Sequence, residues 1–258
     1  MSVSGTVLVT GASAGIGQAC ARAFAAAGAR LVLTARRRER LEALADGLRG
    51  AHGTECHLLA LDVRDAAAVQ AALQGLPAEW AAIDVLVNNA GLGRGLEPLH
   101  TGDPGDWDEM VDTNVKGLLY VTRAVTPGMV ERGRGHVINL GSVAGHEVYP
   151  GGAVYCATKH AVDAITRGLR MDLLGTGVRV STIDPGMVET EFSVIRFHGD
   201  RDRADRVYRG MTPLTAADIA DAVVWVATRP PHVNIDQIIL KPTDQASATM
   251  VHRTERPA

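Results

Sequence analysis

Three cysteines in 258 residues, Cys20, Cys56 and Cys156, are too few and too scattered for a disulfide framework or a paired zinc site. They read as reduced thiols of the core or surface. Blocks of like charge are missing as well: 26 basic residues stand against 29 acidic ones, a formal net charge of −3. Neither nucleic acid nor an anionic membrane surface is therefore expected as a partner. No apolar run reaches the about 20 residues that a membrane-spanning helix needs. The opening residues Met1 to Gly5 show no basic, apolar and cleavage regions in succession, so a cytoplasmic protein is expected. The nine histidines lack ligand spacing, and no metal is expected. Internal repeats, linkers and low-complexity segments are absent too, which leaves one domain over residues 1–253 and a frayed tail at 254–258.

What is present is an alternation. Short β-branched apolar runs, at about 6–10, 30–34, 55–61, 85–88, 136–140, 179–183 and 237–240, are separated by alanine-rich stretches with apolar residues at helical spacing. Those stretches predict helices at about 16–27, 37–48, 66–76, 104–132, 152–175 and 216–228. Repeated βαβ units of this kind imply an α/β fold: one doubly wound domain with a parallel sheet of about seven strands. The long irregular stretch 186–214 follows the sixth strand and carries Phe192, Arg196, Phe197 and a charged run. Open α/β sheets bind ligands beyond the carboxyl ends of their strands, so this stretch is placed to act as a substrate lid.

The first strand runs into Gly11-Ala12-Ser13-Ala14-Gly15-Ile16-Gly17 and then a helix. Glycines let the backbone approach a pyrophosphate, whose charge meets the free N–H groups of the helix start. The Gly-x-x-x-Gly-x-Gly spacing alone also fits a mere tight loop; its position at the first strand–helix junction favours a Rossmann-type dinucleotide site built on Gly11, Ser13, Gly15, Ile16 and Gly17. After the second strand come Arg36, Arg37 and Arg38, where an NAD site places an acid for the ribose 2′-hydroxyl. A guanidinium suits a 2′-phosphate instead, which points to NADP with Arg36 as the phosphate ligand. Arg37 is open between the phosphate and a solvated first helical turn, and Arg38 is read as the latter. Asp62, taken with Val63, either accepts from the adenine amino group or caps the helix that starts near Asp65.

Tyr155 and Lys159 stand four residues apart in a helical segment and project from one face, while Ser142 leaves a strand thirteen residues before Tyr155. An alcohol gives up a hydride only as its proton is taken, and an ordinary tyrosine with a pKa of about 10 is a poor base near neutrality. A nearby lysine ammonium is expected to lower that value, and Ser142 to hold the substrate oxygen.

With these motifs the sequence resembles the short-chain dehydrogenase/reductase family, over nearly the whole chain. The resemblance rests on Thr10-Gly11 through Gly17, Asn88-Asn89-Ala90-Gly91, Asn114, Ser142, Tyr155, Lys159 and Pro185-Gly186. It implies that Asn114 completes a catalytic tetrad through a helix kink and a water-mediated relay to Lys159. Asn89, Ala90 and Gly91 would line the adenosine side, and Pro185, Gly186, Val188 and Thr190 the nicotinamide carboxamide. Residues 76–80, 122–132, 190–197 and 232–235 look like the branch of NADP-dependent 3-hydroxy acid dehydrogenases, whose members are typically homotetramers.

The implied substrate is a small 3-hydroxy acid of the serine, allo-threonine or 3-hydroxypropionate type. Its carboxylate calls for a cation in the lid, and Arg196 is the candidate, with Arg94 a weaker rival; the alternative for Arg196 is an ordinary surface arginine. His146, following the Ser142 loop, is open between substrate contact and plain polar lining, the latter favoured, and Trp80, Trp107 and Trp225 are read as core or interface anchors. Two other functions stay open: a reductase of bulkier ketones or aldehydes, and a non-catalytic NADP-binding sensor.

Overall fold

The computed structural model describes residue 3 and residues 5–254. Seven strands form one parallel sheet: β1 (Thr6–Thr10), β2 (Arg30–Ala35), β3 (Cys56–Ala60), β4 (Ile83–Asn88), β5 (Gly135–Leu140), β6 (Val178–Pro185) and β7 (Gln237–Leu240). Their order across the sheet is β3-β2-β1-β4-β5-β6-β7. Val7 lies beside Leu31 on one flank and Val85 on the other. The chain winds outward from β1 to β3, then returns to place β4 beside β1. A crevice opens at that reversal, beyond the carboxyl ends of β1 and β4.

Helices cover both faces, so the strands are buried on both sides and read as continuous apolar runs. Val7, Val9, Leu31 and Leu33 pack with Phe24 of α1 (Gly15–Ala26), Leu41 and Leu44 of α2 (Arg38–His52), and Ile219 and Val223 of α10 (Ala216–Ala227). The intervening Leu8, Val32 and Leu86 turn the other way. They meet Val69 of α3 (Ala66–Gln74), Trp80 of α4 (Ala78–Ala81), and Val121, Val125 and Met129 of α6 (Leu118–Glu131). Period-two alternation along each strand thus feeds two cores.

The helices differ from the sequence reading in several places. The single helix expected at 104–132 is α5 (Pro104–Val111), a π-helical turn (Asp112–Gly117) and α6 in one run; one wider turn shifts the spacing of apolar residues too briefly to stand out in the pattern. The short α4 was not expected, because four residues carry no period. Within the expected irregular stretch lie α8 (Glu191–Arg196) and α9 (Arg201–Tyr208), started by the side chains of Thr190 and Asp200, which accept from the N–H groups of Phe192 and Arg203. α7 (Ala153–Asp172) stops short of the expected 175. Of the expected tail, Thr254 donates its N–H to the Gly210 carbonyl at 2.8 Å, and 255–258 lie outside the described residues.

Candidate active site

The crevice holds a cavity of about 620 Å³, in the size range of small-molecule sites. Its walls bring together nearly every residue expected from sequence: Gly11, Ser13, Gly15 and Ile16 from the β1–α1 turn, Arg36 and Arg37 after β2, and Asp62 and Val63 after β3. Asn89, Ala90 and Gly91 follow β4, Ser142 follows β5, Tyr155 and Lys159 come from α7, and Pro185, Gly186, Val188, Thr190 and Arg196 from β6 and the lid. Gly17 and Asn114 lie behind the wall.

The turns after β1 and β4 are locked to one another. Thr10 Oγ1 accepts from the N–H groups of Asn89 and Ala90 at 3.0 and 2.9 Å, and Asn89 Nδ2 donates to the Thr10 carbonyl at 2.8 Å. Asn89 Nδ2 thus holds the cradle together, while the residue stays in the cavity wall. Gly15 has a φ of +52°, which glycine tolerates, and Ala14 at the start of α1 supplies no side-chain cap. The first N–H groups of α1 face the cavity without a protein acceptor on the cap, which suits a pyrophosphate.

At the outer corner the cations are held differently from one another. Arg36 is half exposed, with its nearest acid, Glu109, at 3.8 Å. Arg37 donates from Nε and Nη2 to Ser13 Oγ at 3.3 and 3.1 Å and from Nη1 to Glu191 at 3.2 Å. Arg40, which the sequence reading passed over, reaches the same Glu191 at 2.9 Å; it lies one turn beyond Arg36 in the arginine run, so the signal was available. Arg36, the loosely held guanidinium of the three, fits a dinucleotide with a 2′-phosphate. Asp62 does not cap α3: Asp65 does, accepting from the Ala68 N–H at 2.9 Å. Asp62 instead grips Arg64, with Nη2 at 2.6 Å from Oδ2. Burial pushes the Asp62 carboxyl up, but Arg64's hydrogen bonds and charge outweigh it and hold the group below the usual range.

At the inner end Lys159 is buried and donates to the Leu140 carbonyl at 2.8 Å. Burial lowers its pKa to about 8, against the pull of Asp184. Ser142 accepts from the Ala144 N–H at 3.1 Å, starting a 3-10 turn, and its hydroxyl donates to the Pro185 carbonyl at 3.4 Å. The expected lowering of Tyr155 by Lys159 is not what this structure shows. Burial raises the phenol above its ordinary value, and Arg196 foremost, then Ser142, opposes that rise. The Arg196 guanidinium carbon stands 4.7 Å from the Tyr155 ring centroid, and the Lys159 ammonium 5.9 Å.

Asn114 sits in the π-helical turn, buried, with its amide fully engaged. Oδ1 accepts from the Leu92 N–H at 2.8 Å, and Nδ2 donates to the Leu92 carbonyl at 2.8 Å and to Thr158 Oγ1 at 3.1 Å. Gly91 runs between Asn114 and Lys159: a Cβ there would lie 3.2 Å from Asn114 Oδ1 and 3.8 Å from Lys159 Nζ. The kinked helix thus fixes the floor of the cavity beside the lysine.

Two other readings change. Arg94 is paired to Glu109 at 2.7 Å and donates to the Ile195 carbonyl at 2.6 Å, so it serves the lid's seat. His146 does not line the cavity; its Nε2 lies 2.7 Å from the buried Asp184, which also accepts from Gln237 at 2.6 Å. Phe192 and Phe197 of the expected lid are also in the wall, and wall residues that sequence reasoning missed are Tyr149, Tyr208 and Gln245. They come from loops and the lid, where no period marks an inward face.

The sequence pattern of the short chain dehydrogenase family matches residues 5–199. The NADP-dependent 3-hydroxy acid dehydrogenase YdfG of Salmonella typhi is 53% identical over 250 residues, covering 96% of this chain and 99% of that protein. The serine 3-dehydrogenase of Rhizobium radiobacter is 48% identical over 246 residues, 95% of this chain and 97% of that one. Among solved structures, the closed form of serine dehydrogenase complexed with NADP+ superposes with a TM-score of 0.90 at 50% identity, over 96% of this chain and 100% of that one.

Proposed function

The chain belongs to the short chain dehydrogenase family and is an NADP-dependent oxidoreductase; within that class we propose that it interconverts small 3-hydroxy acids, of the serine, allo-threonine and 3-hydroxypropionate type, with their 3-oxo acids. The observation that carries the choice of substrate is Arg196. Its guanidinium is in the cavity wall, and its Nε is buried without a partner. No carboxylate of the described residues pairs with it. A buried donor left without an acceptor is costly, and a ligand carboxylate would satisfy it by a charge-assisted bond.

Bound NADP supplies the carbon that accepts or returns the hydride. The protein's own residues do the rest. Ser142 donates to the substrate oxygen and fixes its distance from Tyr155. Tyr155 takes the hydroxyl proton on oxidation and gives it back on reduction. Lys159, anchored on the Leu140 carbonyl, keeps two further ammonium protons for the nicotinamide ribose and for a water leading past Gly91 and Asn114. Arg196 anchors the acid group, and the lid carrying it excludes water. A homotetramer in the cytoplasm completes the proposal, by the branch resemblance; among the described residues no helix is long and apolar enough to cross a membrane. Light scattering reports the assembly directly.

Steady-state turnover of serine, allo-threonine and 3-hydroxypropionate with NADP, each beside its uncharged amide, tests the substrate class. At least one acid should exceed its amide in kcat/KM by about tenfold or more, the worth of one charge-assisted bond. Equal rates for acid and amide would favour a reductase of bulkier carbonyl compounds; no turnover of any substrate would favour a sensor. Cofactor choice is tested at Arg36. Arg36→Asp should cost about 10- to 100-fold in kcat/KM with NADP and raise the rate with NAD, since it trades a cation for an acid where the 2′-phosphate is placed. An unchanged NADP-to-NAD ratio would assign the phosphate to Arg37 and Arg40 instead.

A further inference from the structure

Arg196 closes α8 of the lid with its guanidinium among three rings. Its central carbon lies 4.7 Å from the Tyr155 centroid, 4.9 Å from that of Phe192 and 6.0 Å from that of Tyr149, and Nη2 donates to the Tyr149 hydroxyl at 3.1 Å. Around Tyr155, from its own helix come Lys159 and Cys156, from the loop before it Tyr149, from the β5 exit Ser142, and from the lid Arg196 and Phe192. Burial raises both the Cys156 thiol and the Tyr149 phenol, so both face Tyr155 uncharged. Lys159, with a pKa of about 8, has a charge that fades just above neutrality, and its ammonium is farther from the ring than Arg196. Arg94, a further cation in the cavity wall, is neutralised by Glu109. Arg196 is left as the permanent charge on the base, and a guanidinium does not titrate in the working range.

We propose that Arg196 is a positioning residue for the base: from the lid, its charge favours the phenolate of Tyr155, so that seating α8 over the cavity is what readies the tyrosine. A cation over an aromatic face attracts an anionic ring far more than a neutral one. The role is separate from carboxylate binding, and would stand if the substrate carried no charge. It also means that an Arg196 variant disturbs chemistry as well as binding, so loss of turnover in such a variant does not by itself identify an acid substrate.

The test needs no substrate. With four tyrosines in the chain, protein labelled with 13C at the tyrosine ring Cζ gives four signals, and Tyr155→Phe assigns one of them. The titration midpoint of Tyr155 is read in NADP+-saturated wild type, Arg196→Lys and Arg196→Gln. The glutamine variant should raise the midpoint by about one unit or more, and the lysine variant should restore most of the difference. A loosened lid alone predicts the opposite sign, because water reaching the phenol would relieve the burial that raises its pKa. An unchanged or lowered midpoint in Arg196→Gln overturns the proposal. Arg196→Met gives the same comparison if the glutamine variant does not fold.

Discussion

Tyr155→Phe should lower kcat by about 10²- to 10⁴-fold, the usual worth of a general acid–base group, while NADPH binding stays within about threefold of wild type. The substitution removes one oxygen and little else. The ring keeps its edge contact with Phe192, 5.6 Å between centroids, and its place under the Arg196 guanidinium. Lys159 stays fixed by the Leu140 carbonyl, and Asn114 by Leu92 and Thr158, so the floor of the site is unchanged. Ser142 still accepts from the Ala144 N–H and donates to the Pro185 carbonyl. Fold stability should therefore move by less than about 1 kcal/mol, the net worth of a single hydrogen bond. Hydride transfer followed in a single turnover, with NADPH fluorescence giving the affinity, separates the two effects. Residual kcat above a tenth of wild type would place the proton elsewhere.

The fold was legible because a parallel sheet buried on both faces writes continuous apolar runs between helices of different period. All seven strands lie within two residues of the positions read from sequence, the largest departures being the start of β4 and the end of β6 at Pro185. The cradle was legible for a similar reason, since a glycine turn at the first strand–helix junction has one favoured use. Tyr155, Lys159 and Ser142 could be joined because helix spacing and a strand exit fix their relative places. What stayed hidden depends on contacts between distant segments. Nothing in the chain order says that Arg64 will occupy Asp62, that Glu109 will neutralise Arg94, or that Asp184 will hold His146 away from the cavity. Arg196 was found by asking what a carboxylate needs. Its stacking on Tyr155 was not, because that requires the lid to be folded onto α7.

Gly17→Ala should destabilise the protein by about 1–3 kcal/mol and weaken NADPH binding at least tenfold, although alanine is the better helix former by about 1 kcal/mol. Gly17 is in the first turn of α1, where that helix meets the cradle. A Cβ there would overlap the Gly11 carbonyl oxygen and Asn89 Nδ2, and would come 2.9 Å from the Gly11 carbonyl carbon. Two of those atoms are backbone and cannot rotate aside. The third belongs to an amide already bound to the Thr10 carbonyl at 2.8 Å, so moving it unlocks the β1 and β4 turns from each other. The strain can be relieved only by lifting the start of α1 off the turn, which spoils the N–H groups that would face the pyrophosphate. Gly47, within α2, is the matched control: a Cβ there meets nothing within 4 Å. Gly47→Ala should accordingly stabilise by about 0.5–1 kcal/mol and leave NADPH affinity alone. Chemical denaturation with an NADPH titration reads both variants. If Gly17→Ala matched Gly47→Ala in sign on both measures, close packing of α1 on the turn would not be what forms the dinucleotide cradle.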